Sequence, residues 1–304
     1  MIRQLVGCLK ENLSNIFPDS VKELVKDYEI ICNFGSKFDI SVDVERKIIK
    51  ISNYSIEYIW AWSAHWILLY NYCHDEKLIL SELISQWDDI KKKPQIKRSL
   101  LLLKLMSFNG SKPLNEQVPW IIKHFNPNEI KSSIVDSVNR VFNYVLMNMI
   151  LHEIGHVKFD HRSDPNATTD NDNQKMEADA DAFSYDQYIH ILSPIADNFM
   201  KDFAWIGIVL SQLLIFNLSH LDRDYFKKYG NPCYRLDTAV AILDSQDSYG
   251  DDHSIYAFLS LVLWTCIRND KIDFKANESI SFKEQYSEIA IVLNNIVKEW
   301  NFYI

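Results

Sequence analysis

Apolar positions along this chain recur mainly at helical spacing, and only one stretch alternates as a strand does. Residues 1–26 read as a short amphipathic helix or two. Three short β-branched runs follow: Tyr28-Glu-Ile-Ile-Cys-Asn-Phe, Phe38-Asp-Ile-Ser-Val-Asp-Val and Ile48-Ile-Lys-Ile-Ser, the last two joined by the charged turn Glu45-Arg-Lys. They predict a small antiparallel β-meander. From Ser55, a candidate N-cap, the chain turns helical, with Ile56, Ile59, Trp60, Trp66, Leu69 and Tyr70 on a core stripe. A second helical pattern covers about 79–106 and is interrupted near Pro94, and residues 107–119 form the clearest loop. Helical periodicity then dominates over about 131–161, 174–191, 195–220, 233–246, 253–268 and 282–299.

Composition supports this helical reading. Seven Gly and eight Pro stand against roughly 21 and 15 at ordinary usage. So few breakers exclude collagen-like, low-complexity and many-stranded sandwich architectures. The fold class expected is α+β and mostly helical, with a small N-terminal antiparallel sheet and a helical C-terminal region. No repeat or composition break divides the chain. One unit over 1–304 is expected: an N-terminal helix and meander (1–54), a helical core (55–191) and a helical C-terminal region (192–304).

The formal net charge is −9, from 32 Lys+Arg and 41 Asp+Glu, which argues against nucleic acid as a partner. Basic residues at 91–93, 97 and 98 read as a solvated face. Cys8, Cys32, Cys73, Cys233 and Cys266 are scattered and contain no C-x-x-C, so a reducing cytoplasm is expected rather than a disulfide framework. Lys10 and Glu11 fall where a signal peptide would need its apolar segment. Phe203 to Leu221 carries no Asp, Glu, Lys or Arg, but Gln212, Asn217 and His220 interrupt it. It reads as a buried helix, and no stable membrane insertion is expected.

Candidate chemistry concentrates in Leu151-His152-Glu153-Ile154-Gly155-His156, an H-E-x-x-H. His152 and His156 lie one helical turn apart, so both imidazoles leave one face and can share one Zn²⁺. Glu153 is placed to reach a water rather than the metal. A catalytic site needs a third protein ligand. On the next helical segment, Glu177-Ala-Asp-Ala-Asp181 presents two acids one turn apart. Glu177 is the leading third ligand and Asp181 its rival, the other acid being free to orient a ligand imidazole. Asp179 points elsewhere. His161 on a continuing helix would lie about 140° round from His156, and it reads as helix-terminal or behind a ligand. Asp170-Asn-Asp-Asn-Gln174 lacks the Gly and closing acid of a calcium loop and reads as a polar loop. His65, His74, His124, His190, His220 and His253 read as structural.

H-E-x-x-H followed by E-x-x-A-D, here Glu177 to Asp181, resembles the gluzincin metallopeptidases. Ser55-Ile-Glu-Tyr-Ile-Trp-Ala-Trp, Ile150-Leu-His-Glu-Ile-Gly-His-Val and the Glu-Ala-Asp-Ala-Asp block resemble the Lit peptidase family, over about residues 40–190. The resemblance implies a zincin-like core and a cytoplasmic zinc endopeptidase of phage exclusion. It implies one Zn²⁺ held by His152, His156 and Glu177, with Glu153 as the base. It also implies elongation factor Tu as substrate, made cleavable by a phage-derived peptide. Gluzincins of this type often carry a His-Pro element and then an Arg. The nearest match is Asn231-Pro-Cys-Tyr-Arg235, which makes Tyr234 and Arg235 candidate oxyanion stabilisers. Two other readings stand beside this one: a zinc protease acting on a repressor or antitoxin, and a non-catalytic zinc-binding sensor.

Overall fold

The computed structural model describes residues 19–35, 37–108, 132–161, 169–192, 198–221, 232–246, 250, 254–267, 277 and 279–301. The N-terminal region contributes helix α1 (Asp19–Val25) and strands β1 (Glu29–Asn33), β2 (Ile40–Asp43) and β3 (Ile48–Ser52). Three helices follow: α2 (Asn53–Asp75), α3 (Leu80–Ile90) and α4 (Pro94–Phe108). Then come α5 (Ser132–Lys158), α6 (Asp170–Leu192), α7 (Asn198–Leu221), α8 (Pro232–Gln246), α9 (Ser254–Ile267) and α10 (Phe282–Asn301). The protein is α+β and mostly helical, as its periodicity and scarcity of breakers imply. Pro94 opens α4, where its missing N–H costs no helical hydrogen bond. Of the helical reading over 1–26 only residues 19–26 are described, and Asp19–Val25 of these form α1. Most of the loop read at 107–119 lies outside them, and Ser107 and Phe108 end α4.

The sheet departs from the expected meander. Its order is β1-β3-β2, with β2 antiparallel to β3 but β1 parallel to it, Glu29 facing Ile48 and Asn33 facing Ser52. The charged turn makes the β2–β3 hairpin, with Lys47 at φ 53°. β3 takes the centre because it is the most apolar strand: Ile49 and Ile51 are fully buried, whereas β1 and β2 stay half-exposed.

The cap of α2 also lies three residues earlier than the sequence reading placed it. Ser52 accepts the Ser55 N–H at 3.0 Å and is the N-cap. Ser55 serves the strand instead, taking the Asp39 N–H at 2.7 Å and donating to the Asp39 carbonyl at 2.9 Å. This serine pair ties the entry of β2 to the start of α2. The helix itself is buried on nearly every side from Tyr54 to Leu69 and forms the middle of the core. Trp60 donates to Asn139 on α5 and Trp62 to the Leu210 carbonyl on α7, so the tryptophans set helix positions as well as fill space. His65 is buried against Ser99 at 3.0 Å, a structural role.

α5 runs through the centre, packed on α2, α6 and α7. Two glycines permit its close contacts. A Cβ on Gly155 would lie 2.9 Å from the Ala180 Cα on α6, and one on Gly207 of α7 would lie 2.4 Å from the Tyr144 Cβ. α7 contains the uncharged run, and its stretch Lys201–Leu218, long and apolar enough to span a membrane, is 72% buried inside the protein. It is a core helix here.

Gly155→Ala and Gly207→Ala should each destabilise the fold by about 1–3 kcal/mol through overpacking, measured by urea unfolding. Only Gly155→Ala should also weaken metal binding, because Ala180 sits between the two acids that α6 brings to the histidines.

Candidate metal centre

The site lies where the C-terminal half of α5 meets α6. His152 Nε2 and His156 Nε2 are 3.1 Å apart. Glu177 Oε2 lies 3.1 Å from His152 Nε2, and its Oε1 lies 3.6 Å from His156 Nε2. His152 and Glu177 are buried and His156 is half-buried. These three side chains offer ligand atoms all within 4.8 Å of one another and could hold a metal ion. Two imidazole nitrogens with one carboxylate oxygen form a donor set suited to Zn²⁺, so the residues fit the ion that the motif implies.

The far nitrogens of both imidazoles are occupied by protein groups. His152 Nδ1 is 2.9 Å from Asp181 Oδ1, one turn beyond Glu177 on the same face of α6. His156 Nδ1 is 3.0 Å from His161 Nδ1. His161 reaches that position because α5 stops. Asp160 adopts φ 52°, the His161 N–H bonds the His156 carbonyl at 2.9 Å, and the Asp160 N–H bonds the Val157 carbonyl at 3.1 Å. This pair of bonds is the Schellman termination, with aspartate in the left-handed position usually given to glycine. The chain folds back, and His161 returns to His156 instead of lying round the helix from it. Asp179 is half-exposed, with Oδ2 4.0 Å from His161 Nε2.

Arg235 enters from α8 and closes the charge pattern. Its Nη2 donates to Asp181 Oδ1 at 2.6 Å, Nε lies 2.5 Å from Asp181 Oδ2, and Nη1 is 3.8 Å from Glu177 Oε2. The guanidinium is buried, whereas the neighbouring Tyr234 side chain is exposed on the other face of α8. Burial alone would push both acids toward their neutral forms. Arg235 and His152 outweigh it and hold the Glu177 and Asp181 carboxyls below their ordinary range. Burial likewise works against a charge on His152, but the Asp181 and Glu177 carboxylates raise its pKa to about 10 when no ion is bound. His161 is lowered, chiefly by burial.

The acidic run at 170–174 is the first turn of α6 rather than the polar loop expected. Thr169 N–H and Oγ1 bond Asp172 Oδ2 at 3.1 and 2.7 Å, and the Asp172 N–H bonds Thr169 Oγ1 at 3.2 Å, a reciprocal cap. Sequence reasoning missed two further residues near the site, Asn148 and Gln212. They line a cavity shared with His152 and Glu153. The signals were present: Asn148 is one turn before His152, and Gln212 interrupts an apolar helix.

A mostly helical α+β protein thus brings together His152, His156 and Glu177 as a group that could hold a metal ion, with Glu153 next to His152 in the chain. The family model of Peptidase U49 matches residues 49–256, and the chain belongs to that peptidase family. The match runs past residue 190, beyond the reach of the motif resemblance, and takes in Arg235. No match was found among the curated proteins or among the solved structures.

Two outcomes are expected. In the metal-free protein the His152 proton stabilises the fold fully below the unfolded-state pKa of about 6.5. That contribution is lost as pH rises through about 10. The pH dependence of urea stability between 7 and 10 should therefore be shallower in His152→Asn than in wild type. His161→Ala should weaken zinc affinity by about tenfold or more, read by competition with a chromogenic chelator.

Proposed function

We propose that the chain is a zinc-dependent endopeptidase of the gluzincin type, with one catalytic Zn²⁺ held by His152, His156 and Glu177. The observation that carries this reading is the division of labour at the two imidazoles. Their Nε2 atoms converge with Glu177, while Asp181 and His161 take the opposite nitrogens. A closed structural site would need Asp181 or His161 as a fourth ligand, and both are engaged behind the histidines instead. That geometry favours a catalytic centre over the sensor reading.

Zinc bound there would polarise the scissile carbonyl and acidify the attacking water. Glu153 removes the proton from that water and returns it to the leaving amine nitrogen. Asp181 accepts the His152 Nδ1–H and fixes the tautomer, leaving Nε2 for the ion. Arg235 keeps Asp181 ionised, so the oxyanion role raised for it from the sequence gives way to an electrostatic one. β2 is an edge strand of the described sheet, and Phe38 and Ile40 line the same cavity as Glu153. An extended substrate can add to that edge as a further strand and carry its peptide bond past Glu153.

The Lit resemblance supports a host protein as substrate, with elongation factor Tu and a phage-derived activating peptide the leading pair, acting in the cytoplasm during phage exclusion. New protein termini after induction, compared between wild type and Glu153→Gln, test the assignment. Glu153→Gln should bind zinc as wild type does and lose about 10²–10⁴-fold in cleavage. Equal cleavage by the two proteins would refute the role of Glu153. Cleavage confined to a repressor or antitoxin would replace the substrate and keep the chemistry.

A further inference from the structure

His156 stands in a weaker place than the other two candidate ligands. His152 is one turn further into α5 and buried, whereas His156 lies two residues before Lys158, where the helix ends. The last turn of a helix has carbonyls without helical partners and opens more readily than the middle. His161 meets that weakness twice. Its N–H bonds the His156 carbonyl at 2.9 Å, and its Nδ1 lies 3.0 Å from His156 Nδ1. One residue holds both the backbone and the ring of the ligand.

The His161 ring is itself held by two neighbours. Phe159 stacks on it, with ring centroids 5.6 Å apart and planes at 26°. Phe159 in turn meets Phe183 of α6 edge to face, at 6.3 Å and 87°. Phe183 is half-buried and packs on the core, so the stack is anchored. Phe159 is 49% exposed, while the His161 side chain is only 10% exposed. The phenyl ring therefore meets solvent in place of the imidazole. The other neighbour is Asp179, whose Oδ2 lies 4.0 Å from His161 Nε2, a charge contact rather than a hydrogen bond.

We infer that Phe159, His161 and Asp179 form a positioning unit for the metal ligand His156, in which Phe159 and Asp179 act through the His161 ring. The inference rests on the metal-site reading above and adds two residues to it. With His156 Nε2 given to zinc, the His156 proton stands on Nδ1, and His161 Nδ1 must be bare to accept it. The His161 proton is then on Nε2, the nitrogen near the Asp179 carboxylate. The opposite tautomer would set two N–H groups 3.0 Å apart and turn a lone pair toward a negative charge. Asp179 therefore favours the one His161 tautomer that fixes His156 for the metal, and Phe159 holds the ring where that bond is made. A lone exposed phenylalanine needs no explanation, but this one stacks on the group that grips a ligand.

The test measures the zinc affinity of the full chain by competition with a chromogenic chelator. Phe159→Ala and Asp179→Asn should each weaken zinc by about threefold or more, and Phe159→Tyr should match wild type. In a His161→Ala background neither Phe159→Ala nor Asp179→Asn should weaken zinc further, because both act through the imidazole. Losses that add to that of His161→Ala, or failure of either substitution to weaken zinc, overturn the inference. The tautomer is read without any variant. In the zinc-loaded protein, nitrogen NMR of the imidazoles should find His161 protonated at Nε2 and bare at Nδ1. A proton on His161 Nδ1 overturns the inference whatever the affinities. Zinc affinity left unchanged by His156→Ala overturns the metal centre and the inference together. Additive losses in a protein whose zinc binding still depends on His156 overturn the inference alone.

Discussion

Two carboxylates buried within one turn of a helix set the terms for everything around them. Glu177 and Asp181 could not both stay ionised in this interior on their own, because desolvating charge is expensive unless each charge is paired and hydrogen-bonded. Arg235 answers one of them with a two-pronged contact, and His152 answers both, touching Glu177 through one nitrogen and Asp181 through the other. A divalent ion would displace the His152 proton and take over its electrostatic role. Burial, pairing and metal affinity are thus one balance seen from three sides.

That balance requires α5 and α6 to approach closely along their length. The approach is set at Gly155 and Ala180, where backbone meets backbone. The glycine inside the zinc motif is therefore a matter of helix spacing. The second glycine contact, Gly207 on Tyr144, seats α7 against the other side of α5 and brings Gln212 and Ser211 to the cavity. Among the described glycines, Gly155 and Gly207 stand at helix crossings, and Gly35 and Gly250 lie outside helices.

Much of this was legible in the sequence, and what was not has physical reasons. The helices on which His152, Glu153, His156, Glu177 and Asp181 stand follow from 3.6-residue periodicity, which fixes which residues share a face. The strand positions were legible too, but not their order. Alternation records which residues face inward and says nothing about which strand takes the middle of a sheet. The reversal at Asp160 was hidden because the left-handed position is held by aspartate and not by glycine, so the sequence read His161 as helix-terminal or behind a ligand without showing how the chain brings it to His156. The acids at 170–174 looked like a loop because capping residues are polar and occupy the same turn that loops do. Arg235 is 54 residues from Asp181, and no local pattern encodes so distant a pairing.

That distance has a consequence for how the protein is made. The motif, Glu177 and Asp181 are all synthesised before α8, so a chain still growing on the ribosome has these side chains but lacks the cation that balances Asp181. Closing α5 on α6 at that stage would bury a carboxylate short of its partner. The centre therefore matures late, after α8 has docked. For a peptidase, that order of events leaves the partly made chain without its balanced charge cluster.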